Sequence, residues 1–297
     1  MGKKGKKGQT GKPKKLTPKD VGKRLDTLVK KLEEELKGAD LFGPLPPTED
    51  CAICFVPLSR VKNQVFYQGC CGNFICVACY IENRASIKKQ NEEKSAGKKV
   101  AFSCPFCRAL VSTCAGEELA RIQARCLQND HDALALMGSL YLAGEGGETP
   151  KDDLKALDCF IRATELGSAE TCAHIGMGYG EGIGVAVDME RAVLFQRVGA
   201  LRGEIVARHN IGCTEYYDFG NNKIAIRHWK IAAEAGYQPS LNALRKIYNA
   251  GNKEPGEDFI SKEYLDFAYR ACHEAQMEVK SEEREKYRSP KGSKFKC

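Results

Sequence analysis

The amino-terminal segment of this chain lacks acidic residues and lacks any apolar run. Its first 19 residues hold eight lysines, and Met1 and Leu16 are its only aliphatic side chains, so the apolar core of a signal peptide is missing. No stretch of the sequence approaches the ~18 uninterrupted apolar residues of a membrane-spanning helix. We therefore expect a chain that is not exported, does not contact a membrane and works in the cytoplasm or the nucleus, where thiols stay reduced.

Sequence signatures of catalysis are also missing. The chain has five histidines, and none precedes His131. It contains no phosphate-binding loop, no visible nucleophile with a base and no metal-ligand pattern with an open position. These absences argue against a hydrolase or a redox enzyme.

The net charge of +7 belongs to the amino-terminal tail, because residues 1–19 contribute +8 and the rest of the chain sums to −1. A segment this rich in lysine and glycine is predicted to be disordered. We expect it to keep the chain soluble. Nuclear import and binding to the phosphates of nucleic acid are alternatives, and nucleic acid is the weaker one because no aromatic residue is interleaved to stack on bases.

Cysteine, in contrast, is abundant and clustered. Eight of the 15 cysteines fall within 57 residues, as three Cys-x2-Cys pairs and one doublet: Cys51 and Cys54, Cys70 and Cys71, Cys76 and Cys79, Cys104 and Cys107. A Cys-x2-Cys turn aims two thiolates at one tetrahedral ion, with Zn–S near ~2.3 Å. The pattern predicts two structural zinc ions. Spacing alone leaves open whether the four pairs bind sequentially, as in zinc ribbons, or in an interleaved order.

The residues around these cysteines resemble the RING finger family. An apolar residue, Ile53, lies inside the first pair, four residues separate Cys71 from Cys76, and the last pair encloses Pro105 and Phe106. The resemblance implies a cross-braced domain in which alternate pairs share a zinc ion. One ion would then take Cys51, Cys54, Cys76 and Cys79, and the other Cys70, Cys71, Cys104 and Cys107.

The second of these sites departs from the commonest RING pattern. Asn73 stands where the family usually has histidine, so the sequence resembles the all-cysteine version. For Cys70 and Cys71 to bind the same ion the backbone between them must bend, which Gly69 and Gly72 permit. The alternative is that only one of the two cysteines is a ligand.

The same resemblance implies a partner, a ubiquitin-conjugating enzyme charged with ubiquitin. The positions that match its binding groove are Ile53, Pro105 and Ile81. Arg108 matches the basic residue that holds the thioester in its reactive pose, a role that suits the planar guanidinium. However, Asn83 stands where the family usually presents a bulky apolar residue. Two functions therefore remain, a RING-type ubiquitin ligase and a non-catalytic, zinc-dependent interaction scaffold.

The second half of the chain repeats itself. Ala156, Ala192 and Ala225 stand 36 and 33 residues apart, and so do Gly167, Gly203 and Gly236. Residues 175–203 resemble the Sel-like repeat, a relative of the tetratricopeptide repeat. The resemblance implies stacked helical hairpins whose concave side binds a protein substrate or adaptor.

Individual residues of the repeats receive predictions as well. The glycines expected to mark the starts of the first helices are Gly138, Gly176 and Gly212. The aromatic residues expected in the core are Tyr179, Phe195 and Trp229, and the cysteines expected to pack as small apolar residues are Cys159, Cys172, Cys213 and Cys272. His174 and His209 stand 35 residues apart, and we interpret them as structural rather than as a metal or catalytic pair.

The predicted fold class is a small cross-braced two-zinc RING-like domain followed by an all-α solenoid of Sel-like hairpins. Leu25, Leu28 and Leu32 recur at helical spacing before this domain, which predicts an amphipathic helix that packs within the protein and ends at residues 43–47. A partner helix is the alternative. The predicted order is a disordered basic tail (1–19), an amphipathic helix and Pro-rich linker (20–47), a RING-type finger (48–112), a helical joint (113–131), Sel-like repeats (132–252), a capping helix (253–280) and a flexible tail (281–297).

Overall fold

The structure, a computed structural model, describes residues 16–60, 65–93, 101–111, 115–144, 149–251 and 260–277. Within these ranges lie eleven helices and two short strands: α1 (Pro18–Leu36), β1 (Val65–Tyr67), β2 (Phe74–Cys76), α2 (Val77–Glu93), α3 (Ala115–Leu127), α4 (His131–Ala143), α5 (Asp153–Glu165), α6 (Ala169–Glu181), α7 (Met189–Leu201), α8 (Ile205–Tyr217), α9 (Asn222–Glu234), α10 (Gln238–Asn249) and α11 (Lys262–Met277). Most of the predicted basic tail and all of the predicted tail 281–297 lie outside the described residues. None of the described helices is long and apolar enough to cross a membrane.

Helices α4 to α9 form three antiparallel hairpins, and α10 and α11 pack against the last of them. Aspartate begins the second helix of the first two hairpins. The side chains of Asp152 and Asp188 accept hydrogen bonds of 3.0 Å from the N–H groups of Lys155 and Arg191, which satisfies donors that a helix start leaves unpaired. The loop of the third hairpin, residues 218–221, is three residues shorter than that of the second, residues 182–188. This difference accounts for the spacing of 33 rather than 36 residues between the second and third units.

The repeat glycines serve two different purposes. Gly167, Gly203 and Gly236 have φ angles of 102°, 95° and 94° between successive hairpins, a region that favours glycine. Gly138 and Gly212 instead lie inside α4 and α8. A Cβ atom on them would stand 2.4 Å from the Phe160 ring and 2.5 Å from Nε1 of Trp229.

The prediction that Gly138, Gly176 and Gly212 mark helix starts is therefore wrong. All three lie in the interior of a first helix, next to the second helix of the same hairpin. A Cβ would collide with an aromatic ring at Gly138 and Gly212, and at Gly176 it would stand 3.0 Å from the carbonyl oxygen of Ala192. The predicted core aromatics are confirmed, since the side chains of Tyr179, Phe195 and Trp229 are buried.

Helix α1 packs across α5 and α7. Thr17 begins it, and its side-chain oxygen accepts a hydrogen bond from the N–H of Asp20 at 3.3 Å. The predicted apolar stripe is buried against the repeats, so packing within the protein is confirmed. The helix ends at Leu36, because the backbone is already extended at Lys37. The prediction that the helix continues to the glycine and prolines of residues 43–47 is therefore wrong.

Ion pairs fix α1 in place on the repeats. Arg202 donates to both carboxylate oxygens of Glu35, at 2.8 and 2.7 Å, and also to the carbonyl oxygen of Thr164 at 3.1 Å. A second pair joins Arg191 to Asp26 at 2.9 Å. The fork of Arg202 is mostly buried, so its geometry specifies the position of α1 as well as stabilising it.

The segment after α1 runs along the repeats toward the cysteine-rich finger, defined here as residues 49–111. The Phe42 ring lies 4.8 Å from the ring of His228 and 3.8 Å from the guanidinium of Arg227. At the other end, Arg60 donates to the carbonyl oxygen of Gly203 at 3.1 Å, and the hydroxyl of Tyr67 to Asp130 at 2.8 Å. These contacts seat the finger against the solenoid.

Replacing Gly212 by alanine tests the close approach of α8 and α9. We expect Gly212→Ala to destabilise the protein by about 1–3 kcal/mol, because the new methyl group collides with the buried Trp229 ring. Gly180→Ala is the matched control, since Gly180 also lies in a first helix but has open space around its Cβ position. Alanine there should be neutral or stabilise by up to about 1 kcal/mol.

The measurement is the midpoint of unfolding in denaturant, followed by circular dichroism. Equal midpoints for the two variants would show that the ring of Trp229 does not constrain residue 212.

Candidate metal centres

Two turns of the finger have the same backbone geometry. The N–H of Phe55 donates to the carbonyl oxygen of Cys51 at 2.8 Å, and that of Arg108 to the carbonyl oxygen of Cys104 at 3.0 Å. Phe55 and Arg108 both lie in the left-handed region, with φ of 55° and 59°. We call these the first and second knuckle; each closes a Cys-x2-Cys turn that aims two thiols to one side.

The first cluster combines the first knuckle with the end of the finger's hairpin. Strands β1 and β2 are antiparallel, with Val65 opposite Cys76. Cys76 is the last residue of β2, and Cys79 lies in the first turn of α2. The thiols of Cys51, Cys54, Cys76 and Cys79 all lie within 4.8 Å of one another. Three of the four residues are buried.

The second cluster combines the second knuckle with the cysteine doublet. The thiols of Cys70, Cys71, Cys104 and Cys107 also lie within 4.8 Å of one another. The doublet bends because the N–H groups of Cys71 and Gly72 both donate to the carbonyl oxygen of Gln68, at 3.1 and 2.8 Å. Gly72 has φ of 77°, so the structure turns both neighbouring thiols into one cluster.

The sulfur spacings can be compared with those of a tetrahedral site. Four sulfurs at ~2.3 Å from one zinc ion stand about 3.8 Å apart. The structure places the sulfurs of Cys54 and Cys76 3.9 Å apart, and those of Cys71 and Cys104 3.8 Å apart. An all-thiol donor set selects soft ions such as zinc. Each cluster fits one such ion, which its four thiolates would hold without leaving a position open.

The electrostatics of the thiols favour a bound cation. Burial raises the pKa of Cys51, but N–H donors of Cys54, Cys76 and Ile53 outweigh it and bring the pKa to about 6. Burial raises the pKa of Cys79, and the neighbouring thiols raise it further. Four adjacent thiols therefore cannot all ionise at neutral pH without a positive charge among them, and a bound divalent ion supplies that charge.

The residues predicted to bind a conjugating enzyme lie on the knuckles and on α2. Ile53, Pro105 and Arg108 are exposed, and Ile81 is half-buried in α2. Asn83, also on α2, is bonded within the finger: its Nδ2 donates to the carbonyl oxygen of Ser103 at 3.3 Å. The structure thus places the predicted contacts at positions a partner can reach; their role stays a prediction.

A further polar cluster escaped prediction. Nδ1 of His209 lies 2.8 Å from Oγ of Ser240, and Nε2 of the same ring lies 3.4 Å from the sulfur of Cys213. Cys213 is half-buried, unlike Cys159, Cys172 and Cys272, and it packs against the apolar core around Trp229 as predicted. The available signal was the His209-x3-Cys213 spacing, which puts both side chains on one helix face.

The two predicted structural histidines also differ in position. His174 stacks on the Phe160 ring at 4.7 Å and lies two residues before Gly176, whereas His209 lies three residues before Gly212. They therefore face different directions on α6 and α8. His209 lies 6.2 Å from the ring of Trp229 and 5.2 Å from that of Tyr237, so a structural interpretation fits both histidines.

Comparison with protein families identifies the repeats. The profile of the Sel1 repeat family matches residues 131–168, 169–195 and 206–237. In these three segments the chain matches the Sel1 repeat. The three Sel1 segments begin at or beside the first residues of α4, α6 and α8.

Two solved structures are similar to the chain. A Sel1 repeat protein from Oxalobacter formigenes is 30% identical, with 54% of this chain and 66% of that one covered and a TM-score of 0.46. A protective antigen present in uropathogenic Escherichia coli strains, which displays an SLR fold, is 25% identical, with coverage of 52% and 33% and a TM-score of 0.44. The chain thus spans less than two thirds of either protein. A comparison with curated proteins gave no match.

Zinc content tests both clusters. We expect the purified chain to hold two zinc ions, one for each cluster. Cys54→Ser should lose one of them. Cys70→Ser and Cys71→Ser should each lose one as well, because both thiols belong to the second cluster. The measurement is elemental analysis after gel filtration, with Cys159→Ser as the control that keeps both ions.

Two zinc ions in Cys70→Ser would contradict ligation by both members of the doublet. Removing zinc with a chelator should unfold the finger while the Sel1 repeats keep their helical circular dichroism signal.

Proposed function

We propose that this chain is a RING-type ubiquitin ligase whose Sel1 repeats bind a protein substrate or adaptor. The observation that carries the proposal is the interleaved order of the cysteine clusters. The first and third pairs along the chain share one cluster, and the second and fourth share the other. Interleaving is the arrangement that the RING resemblance implies, and a sequential zinc ribbon lacks it.

Bound zinc would supply structure to the finger and no chemistry. The apolar core of the finger is small and consists largely of the cysteines themselves with Leu58 and Ile75. A structural zinc site contributes on the order of 10–16 kcal/mol of binding free energy in small peptides, which replaces such a missing core. The finger then acts as a rigid surface.

Catalysis in this proposal is positioning. Arg108 follows the last cysteine of the finger and is exposed, and its backbone lies in the left-handed region. Its guanidinium would donate hydrogen bonds to ubiquitin and to the conjugating enzyme together, which holds the thioester in its reactive pose. The substrate lysine attacks that thioester directly, so no residue of this chain forms a covalent intermediate.

The contacts between finger and repeats support a division of labour. Asp130, at the start of the first Sel1 repeat, receives hydrogen bonds from Tyr67 of the finger and from Arg125 of α3, at 2.8 and 2.6 Å. Arg60 donates to Gly203, between the second and third repeats. A protein held by the repeats would therefore stand at a fixed distance from an enzyme held by the finger.

The second candidate function is a non-catalytic scaffold. Asn83 favours it, because its amide is engaged with Ser103 at a position where active fingers usually present a bulky apolar side chain. In this case the finger binds another protein and no ubiquitin is transferred.

Ubiquitin discharge separates the two functions. Zinc-loaded protein would be mixed with a panel of ubiquitin-charged conjugating enzymes, and loss of the thioester and chain formation would be followed on gels. We expect discharge with at least one enzyme, reduced by about tenfold or more in Arg108→Ala and Ile53→Ala, because mispositioning of a thioester costs rate steeply.

The matched control is Arg270→Ala, which removes an exposed arginine of α11, outside the finger, and should discharge at the wild-type rate. If folded protein with two zinc ions discharges no enzyme of the panel, the ligase proposal fails and the scaffold remains.

A further inference from the structure

The repeats hold a second candidate site that the ligase proposal does not use. A cavity of about 470 Å³ opens between α8, α9 and α10. Both His209 and Cys213 line it, together with the aromatic side chains of Tyr216, Tyr217 and Trp229. A thiol and an imidazole thus share one partly aromatic cavity large enough for a small organic molecule.

The three polar groups form a connected chain. Ser240 is fully buried, and its Oγ lies 2.8 Å from Nδ1 of His209, close enough to accept a hydrogen bond from the tautomer that carries its proton on Nδ1. In this tautomer Nε2 is the acceptor for the thiol proton of Cys213, 3.4 Å away. A nucleophile, a base and a group that orients the base are the parts from which activated nucleophiles are built.

Cys213 differs from the other described cysteines outside the two metal clusters. Cys126, Cys159, Cys172 and Cys272 are all buried, and none of them is bonded to an imidazole in the part of the chain that the structure describes. Selective chemistry at one thiol follows from this difference, because reactivity requires both access and removal of the proton.

We propose that Cys213 is a covalent modification site for small, apolar α,β-unsaturated carbonyl compounds, with His209 as the base. Nε2 of His209 takes the thiol proton while the sulfur forms a bond to the β-carbon. The electron pair of the carbon–carbon double bond moves to the carbonyl as an enolate, and the proton then passes from Nε2 to the α-carbon. The product is a thioether, and no oxidant or reductant is consumed.

Burial lowers the pKa of His209 and raises the pKa of Cys213, so both groups rest neutral at pH 7. Burial therefore opposes a free thiolate–imidazolium pair, and the proposed step transfers the proton as the carbon–sulfur bond forms. Lys246 lines the same cavity. Its positive charge suits the negative charge that develops on the carbonyl oxygen.

The test uses N-ethylmaleimide, a small α,β-unsaturated dicarbonyl, on the zinc-loaded full chain, whose eight clustered thiols are then protected. Limiting reagent and short reaction times give a rate for each cysteine by peptide mass spectrometry. We expect Cys213 to react at least tenfold faster than Cys126 or Cys272. A positioned general base can contribute a rate factor of ~10²–10⁴, so tenfold is a conservative threshold.

Variants then separate the base from mere access. His209→Gln should lower the rate at Cys213 by about tenfold or more, while the matched control His174→Gln leaves it unchanged. We also compare two reagents by the ratio of the N-phenylmaleimide rate to the N-ethylmaleimide rate. This ratio should be larger at Cys213 than for free glutathione, because the cavity wall is aromatic.

Three results would overturn the proposal: Cys213 no faster than Cys272, the same rate in His209→Gln, or no preference for the aromatic reagent. If His209→Gln loses its helical circular dichroism signal, Ser240→Ala decides instead. That variant keeps the imidazole and removes the group that orients it, so an unchanged rate there also contradicts the proposed site.

Discussion

The carboxylate of Asp130 joins three parts of the molecule. One oxygen caps α4 by accepting from the N–H groups of Asp132 and Ala133, at 3.0 and 3.1 Å. The other accepts from Tyr67 and Arg125. Burial alone would raise its pKa, but these donors outweigh burial and hold the pKa of Asp130 below its usual value. A carboxylate so stabilised contributes to folding above its ordinary pKa and loses that contribution as the pH falls through the lowered value.

The parts of the fold that could be predicted are those in which a side chain acts alone. The stripe of α1 and the bend that Gly72 permits beside the cysteine doublet are such cases, since each follows from local geometry. The route of residues 37–60 is different, because Arg60 and Arg208 bind backbone carbonyls of Gly203 and Leu41. Every residue offers a carbonyl, so the sequence carries no mark of which one is used. Gly212 was misread for a related reason: a missing side chain signals close approach as well as a turn.

The candidate sites show the same limit. Cysteine spacing indicated two metal clusters but left their pairing open, and the interleaved order came from resemblance to a family rather than from geometry. For the cluster around Cys213, two members lie four residues apart on α8, whereas Ser240 lies 31 residues from His209. Only the folded hairpins bring that hydroxyl to the imidazole ring. Residues that the sequence does not mark as a nucleophile and a base can therefore still lie close together in the fold.

The two knuckles share one backbone but present different chemistry. The residue that follows the second cysteine is an exposed aromatic ring in the first knuckle and a guanidinium in the second, Phe55 and Arg108. Neither side chain takes part in a thiol cluster. The finger therefore has two exposed positions at which the side chain can differ while the sulfur geometry is preserved, within the limits that a positive φ sets at each of them.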